Sequence, residues 1–298
     1  MAINLEKIQN ALDRFDPDKK KSNNNSGSDN MIKLDEGEHT IRIVPYKYDE
    51  EMPFREFNFH YRINDRTFVC PEKHGNQKCP VCSFVKSCWN EYNNTQDESY
   101  KDLAKSMSVS TRVFIPIIVK EGPNKENIYG SNNTQARWWS ISASNSPRST
   151  YNKILNAAKI ALKRNIDITD MNQGMDLIVQ VEKGFNDWVY PVDISLDITP
   201  SSLVEGSQQD FDIIVDSVEN IDNIFPISDV DEMKESLEVH LNPSSGSGNN
   251  SNSGDNIGSS KNYNSSAKED EDDLPFDDSP IARDNDAIGK KFAGILGS

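Results

Sequence analysis

Four cysteines and two of the chain's four histidines fall within Phe59–Asn90 of the 298 residues. The tightest spacing is Cys79-Pro80-Val81-Cys82, a knuckle in which two thiolates can face one point. Cys70 lies upstream of that pair, and His60 lies further back. His60, Cys70, Cys79 and Cys82 then offer three sulfurs and one imidazole, the donors that tetrahedral zinc prefers. A complete set of four leaves no position for water, so one zinc ion here would be structural. The loop is poor in aliphatic residues, and ligation is expected to drive its folding. His74 competes with His60 for the nitrogen position, and Cys88 is an alternative sulfur. His60 is preferred because it ends an alternating apolar stretch, so a strand can deliver it from outside the loop. A disulfide fits less well, given a CxxC with a third Cys and a His in a thiol-sparse chain.

A second chemistry is spread over the body, where rings and cations interleave. The candidates are Tyr46, Lys47, Arg62, Arg66, Tyr92, Tyr100, Lys101, Lys105, Arg112, Phe114, Arg137, Trp138 and Phe185. Single-stranded nucleic acid needs this combination: cations track phosphates while rings stack on unpaired bases, whatever the base. Duplex bases are already stacked and have no use for such rings. Any one ring has core packing as its ordinary alternative. Adjacent Trp138 and Trp139 point to opposite faces if they lie on a strand, so only one need be core. Stacking and phosphate tracking do not report the sugar, and RNA remains an alternative ligand. A zinc nucleotide deaminase is disfavoured although Cys70-Pro71-Glu72 mimics its Cys-x-Glu element. The spacing to the CxxC is too short and the proline expected before the first Cys of the pair is missing. No catalytic residue is assigned, and a zinc-ordered scaffold that binds only protein is the remaining class.

The net charge of −16 argues at first against a nucleic-acid partner. Its distribution argues otherwise: residues 1–164 carry 25 Lys and Arg against 20 Asp and Glu, whereas residues 165–298 carry 7 against 28. A mildly basic N-terminal part and a strongly acidic C-terminal part can hold an anion-binding face and its internal competitor. No run of eighteen apolar residues occurs, and MAINLEKIQN lacks a signal-peptide core, so a soluble intracellular protein without a membrane partner is expected.

The elements that must position these groups follow from hydrophobic periodicity. Residues 2–15 have apolar positions at helical spacing, and the basic cluster Lys19, Lys20, Lys21 and Ser22 follows before an Asn/Ser/Gly run. Residues 1–30 read as this helix and arm. Strands are expected at His39–Val44, Phe54–Tyr61, Arg66–Val69, Ser108–Lys120, Arg137–Ile141, Asp176–Lys183 and Tyr190–Ile198. Helices are expected at Cys82–Tyr92, Ser99–Met107, Ser149–Arg164 and near residues 228–241. The pattern is mainly β with α insertions, an OB-fold barrel carrying an embedded zinc subdomain at about residues 58–107 within a core of residues 31–241. The pattern alone does not separate that barrel from another antiparallel β architecture. Residues 242–298 begin with a Ser/Gly/Asn run that cannot bury enough apolar surface to fold. In this acidic tail Asp272, Asp273, Leu274, Pro275 and Phe276 form a peptide that a basic, apolar-lined pocket on another protein could grip.

Together His60, Cys70, the run CPEKHGNQKCPVC, Tyr92, Tyr100 and the strand STRVFIPIIVKEGP resemble the zinc-containing single-stranded DNA-binding proteins of T-even-like tailed phages. The likeness spans about residues 38–190 and is most specific in HGNQKCPVC. It implies an OB fold with a zinc subdomain, cooperative coating of single strands in replication and recombination, and an acidic C-terminal region that recruits replication and recombination proteins. The family's one histidine and three cysteines map onto His60, Cys70, Cys79 and Cys82; its histidine inside the knuckle loop is not a ligand. Family DNA-contacting aromatics fall near Tyr92, Tyr100 and Phe114. The family's N-terminal basic cluster, which contacts the neighbouring protomer on the strand, has its nearest match in Lys19–Ser22, later in the chain and followed by Asn23. The family's second basic run, before the long strand, is replaced by Lys105–Arg112. The Asp-Asp-Leu-Pro-Phe element looks more like the partner-binding tip of bacterial single-strand binding proteins, although it lies inside the tail.

Overall fold

The computed structural model describes residues 30–49, 52–130, 134–143, 149–184, 188–197 and 199–242. The expected N-terminal helix, Lys19–Ser22, Phe185 and the tail element Asp272–Phe276 lie outside the described residues.

The long strand organises the fold. β1 (Met31–Ile32), β2 (Gly37–Ile43), β3 (Arg55–Ile63) and β4 (Arg66–Val69) precede three helices, α1 (Pro71–His74), α2 (Pro80–Thr95) and α3 (Glu98–Met107). Next come β5 (Ser110–Glu121), β6 (Arg137–Ser142) and α4 (Thr150–Leu162). The chain continues through β7 (Leu177–Lys183), β8 (Val189–Leu196), α5 (Gln208–Ser217), α6 (Ile221–Ile224) and α7 (Val230–Leu241). β5 shares one edge between two partners: Ser110–Phe114 pair with β3, and Ile117–Glu121 pair with β2. β6 lies antiparallel along its other edge. The pairing path runs β1-β6-β5-β2-β7-β8, with β3 and β4 branching off β5, and only β1 with β6 is parallel among these named strands. This is the sheet-dominated body with helical insertions that the periodicity implies.

β5 is buried continuously from Val113 to Val119 because both of its faces are covered. Alternation sends Val113, Ile115, Ile117 and Val119 into one core, under Tyr151, Ile154, Ala157 and Ala161 of α4. It sends Phe114 and Ile118 into a second core, under Phe211 and Ile214 of α5 and Ile221 of α6. Trp138 and Trp139 divide in the same way, one to each core, so both are core residues and not one alone. A third core fills the inserted module: Phe68, Val81, Phe84, Leu103 and Met107 meet Met233, Leu237 and Leu241 of α7. The module therefore has an apolar interior of its own, built partly from a helix far along the chain, and does not depend on ligation alone.

A buried charge cluster joins the loops beneath the sheet. Arg42, fully buried, donates through Nε to Asp176 Oδ1 at 2.6 Å and through its other nitrogens to Ser201 O at 2.9 Å and Asp170 O at 3.2 Å. Lys120 Nζ completes the cluster at 3.0 Å from Asp176 Oδ2. Gly174 makes room for it, since a Cβ there would collide with Arg42 Nη1 and the Asp170 carbonyl oxygen.

Candidate metal centre and nucleic-acid face

Three elements converge on the cysteine knuckle. β3 carries His60 inward and then turns through Asn64 and Asp65, both at positive φ (53° and 57°), a two-residue hairpin turn suited to these residue types. Cys70 follows β4 and caps α1, while Cys79 caps α2 with Pro80 as the first helical residue. Cys82 sits in the first turn of α2, and its backbone N–H donates to Cys79 Sγ at 3.4 Å.

The donor atoms of His60, Cys70, Cys79 and Cys82 all lie within 4.8 Å of one another. Cys70 Sγ and Cys82 Sγ are 3.6 Å apart, and His60 Nε2 lies 3.4 Å from Cys79 Sγ and 3.3 Å from Cys82 Sγ. A tetrahedral zinc with ordinary bond lengths has edges of about 3.8 Å between sulfurs and about 3.5 Å between sulfur and nitrogen. The group fits one such ion. His60 Nδ1 donates to Met107 O at 3.0 Å, which fixes the tautomer and leaves the Nε2 lone pair facing the sulfurs. His60, Cys70 and Cys79 are fully buried, and Cys82 is partly exposed.

Proton competition in the metal-free cluster points the same way. Burial disfavours the His60 imidazolium, but bonds to Cys70 and Cys79 raise its pKa to about 9. Hydrogen bonds from Cys79 and Cys82 hold the Cys70 thiol well below its ordinary range, and the contacts with Cys70 and Cys79 push Cys82 well above it. The Cys70 thiolate is favoured at the expense of Cys82, whereas a divalent cation allows both to ionise.

The structure places the two alternative ligands elsewhere. His74 Nε2 accepts from the Asn58 backbone N–H at 2.8 Å, and its ring stacks on Phe57 at 5.2 Å. Cys88 is buried in the module core, where burial pushes its thiol up to about 12.

The candidate nucleic-acid residues divide by burial. Tyr46, Phe114 and Trp138 are core residues whose rings present no open face to a base. Tyr46 meets Trp138 edge-on at 5.1 Å, Trp138 Nε1 donates to Glu219 O at 3.2 Å, and Phe114 lies among Phe57, Phe59 and Phe225. The reason is α5 and α6, which no sequence expectation covered and whose Phe211, Ile214 and Ile221 close over these rings. Acidic residues after β8 also cover nearby cations: Asp216 pairs with Lys47 at 3.1 Å, Asp222 with Arg55 at 3.1 Å, and Glu232 of α7 with Arg66. Residues 165–242 hold 18 acidic residues against 2 basic, so the acidic excess lies mostly on the body and not in the tail.

The remaining candidates stay at least partly exposed. Arg62 and Lys105 are exposed, and Tyr92, Tyr100 and Lys101 are half-buried on α2 and α3. Lys101 Nζ stands 5.3 Å from the centre of the Tyr92 ring. Arg112 is half-buried on β5, its Nε donating to Ser140 Oγ at 3.3 Å, and burial lowers its pKa. Tyr61, a ring beside Arg62 in the sequence, stacks on Phe59 at 5.6 Å, and burial pushes its hydroxyl up to about 12. Arg137 is half-buried on β6 and donates to Asn127 Oδ1 at 3.1 Å.

No helix among the described residues is long and apolar enough to cross a membrane. Comparison with curated proteins finds no match. Residues 35–242 match the family model described as gp32 DNA binding protein like, which covers more than half of the chain, and the chain belongs to that family of single-stranded DNA-binding proteins.

Proposed function

We propose that this protein coats single-stranded DNA without regard to sequence during replication, recombination and repair, and that one structural zinc ion orders its binding module. The observation that supports this most is the concentration of half-buried and exposed rings and cations on the metal-bearing module. Tyr92, Tyr100, Lys101 and Lys105 lie on α2 and α3, Arg62 lies on β3, and Arg112 lies on β5, which pairs with β3. Half-buried rings keep a fixed orientation while leaving surface for a base, and cations beside them neutralise phosphate. Acidic α5 and α6, which cover the second core, repel a phosphate backbone, which favours a path over the module.

In this reading His60, Cys70, Cys79 and Cys82 hold the zinc, which supplies no reaction and acts by fixing β3, α1 and α2 relative to one another. Lys19–Ser22 provides contact with the neighbouring protomer on the strand, and the tail element Asp272–Phe276 recruits replication and recombination proteins. Residues 1–30, 31–241 and 242–298 are accordingly the self-association arm, the binding core and the partner-binding tail.

Titration of labelled oligo-dT, oligo-U and a duplex of equal length at two salt concentrations tests the proposal. Tight oligo-dT binding that weakens with salt, with little duplex binding, is expected. Equal binding of duplex and single strand, or preference for oligo-U, contradicts it.

A further inference from the structure

One carboxylate on the module engages both a ring and a cation of the candidate strand path. Tyr92 Oη donates to Glu98 Oε1 at 3.1 Å, and Lys101 Nζ donates to Glu98 Oε2 at 2.8 Å. The same ammonium lies 5.3 Å from the centre of the Tyr92 ring, so ring, cation and carboxylate form one closed cluster. Glu98 is the first residue of α3, following Asp97, whose side chain caps the helix by accepting from the Ser99 N–H at 3.0 Å. The helix start thus holds the Glu98 backbone in place, while its side chain, 62% exposed, is able to swing into water.

A carboxylate with two oxygens placed on a cation and a phenol is a partial copy of a phosphate with its two free oxygens. We infer that Glu98 is a built-in phosphate substitute: it occupies Lys101 and Tyr92 when no strand is present, and a DNA phosphate displaces it. This rests on the single-strand reading above. Displacement makes Glu98 an affinity-setting residue that prevents tight binding to any passing anion. It also lessens the salt dependence, because added salt weakens the competing Glu98–Lys101 pair along with the phosphate contact.

The alternative is that Glu98 merely positions Tyr92 and Lys101, as an ordinary surface pair of a helix. The two roles predict opposite signs. Full-length wild type, Glu98→Gln, Lys101→Gln and the double variant are titrated with fluorescent oligo-dT over a salt series. Glutamine keeps the acceptor for Tyr92 and removes the charge. Glu98→Gln is expected to tighten binding about two- to fivefold at low salt, the range open to one exposed ion pair. Lys101 meets one phosphate in both proteins, so the slope of log affinity against log salt is expected to steepen by less than the roughly 0.7 of a whole extra phosphate contact, as salt screens the Glu98–Lys101 pair and the advantage of Glu98→Gln shrinks. In the Lys101→Gln background the same change should have no more than half that effect. Weaker or unchanged binding by Glu98→Gln, or an undiminished effect without Lys101, overturns the inference. Failure of the wild type to bind oligo-dT overturns instead the reading on which it rests. Far-ultraviolet circular dichroism on each variant, together with crosslinking of Tyr92 to a bromodeoxyuridine oligonucleotide in the wild type, keeps the outcome independent of folding. Absence of that crosslink also counts against it.

Discussion

Replacing Cys79 with serine separates the metal's contribution from that of the helix it begins. Cys79 caps α2, and serine is a favoured cap with an acceptor in nearly the same place, so the helix start should survive. The cost falls on the ligand set. A structural zinc bound by four such donors contributes on the order of 10–16 kcal/mol. One donor of four then represents about 3–4 kcal/mol, or about two to three orders of magnitude in zinc affinity. The module keeps its apolar interior, including Phe84, Leu103 and Met107 against Leu237 of α7, so the variant should loosen the module and spare the sheet. Competition against a chromophoric chelator measures the affinity, and timed trypsin digestion locates the loosened segment. Cys88→Ser is the control: that residue is on the same helix, buried, and outside the four-donor group. Wild-type zinc affinity in Cys79→Ser, or an equal loss in Cys88→Ser, would refute the assignment.

Zinc binding should be proton-linked, because the metal-free His60 pKa is raised from 6.5 to about 9. A raised value means that the imidazolium stabilises the metal-free fold fully below pH 6.5 and that this contribution is lost as pH rises through about 9. Zinc must displace that proton, so the rise in Tm on adding zinc should be larger at high pH than at low pH; melts at both ends of the range show the sign. Gly174→Ala drives a methyl group into Arg42 and the Asp170 carbonyl, and should lower Tm by about 5 °C or more. An unshifted melt would mean that the loop relaxes freely. Truncation after Asn242 removes 10 acidic and 5 basic residues and should strengthen oligo-dT binding at low salt. Equal affinities would remove the tail as a competitor.

The strands were legible because their periodicity is local. Ser108–Lys120 and Ser110–Glu121 differ only at their ends, and the four-donor group follows from residue type and spacing. What escaped is the long-range part. Tyr46, Phe114 and Trp138 have a cation nearby in sequence, and nothing local reveals that Leu203, Phe211 and Ile221 return to cover them. The α7 helix was legible as a helix, but its role in closing the module core was not, because Met233, Leu237 and Leu241 meet Phe84 and Leu103 only through tertiary packing. The choice of His60 over His74 became visible in hydrogen bonds: one imidazole is turned toward the sulfurs by Met107, the other is occupied by Asn58.

The account holds that a metal-fixed module presents rings and cations to unstacked bases. The most direct test is oligo-dT affinity measured on one preparation, zinc-loaded and then stripped by chelator. The loaded protein should carry one zinc per chain and bind at least about tenfold more tightly, given that each lost stacking contact costs about 1–3 kcal/mol. Equal affinity with and without zinc would contradict the account.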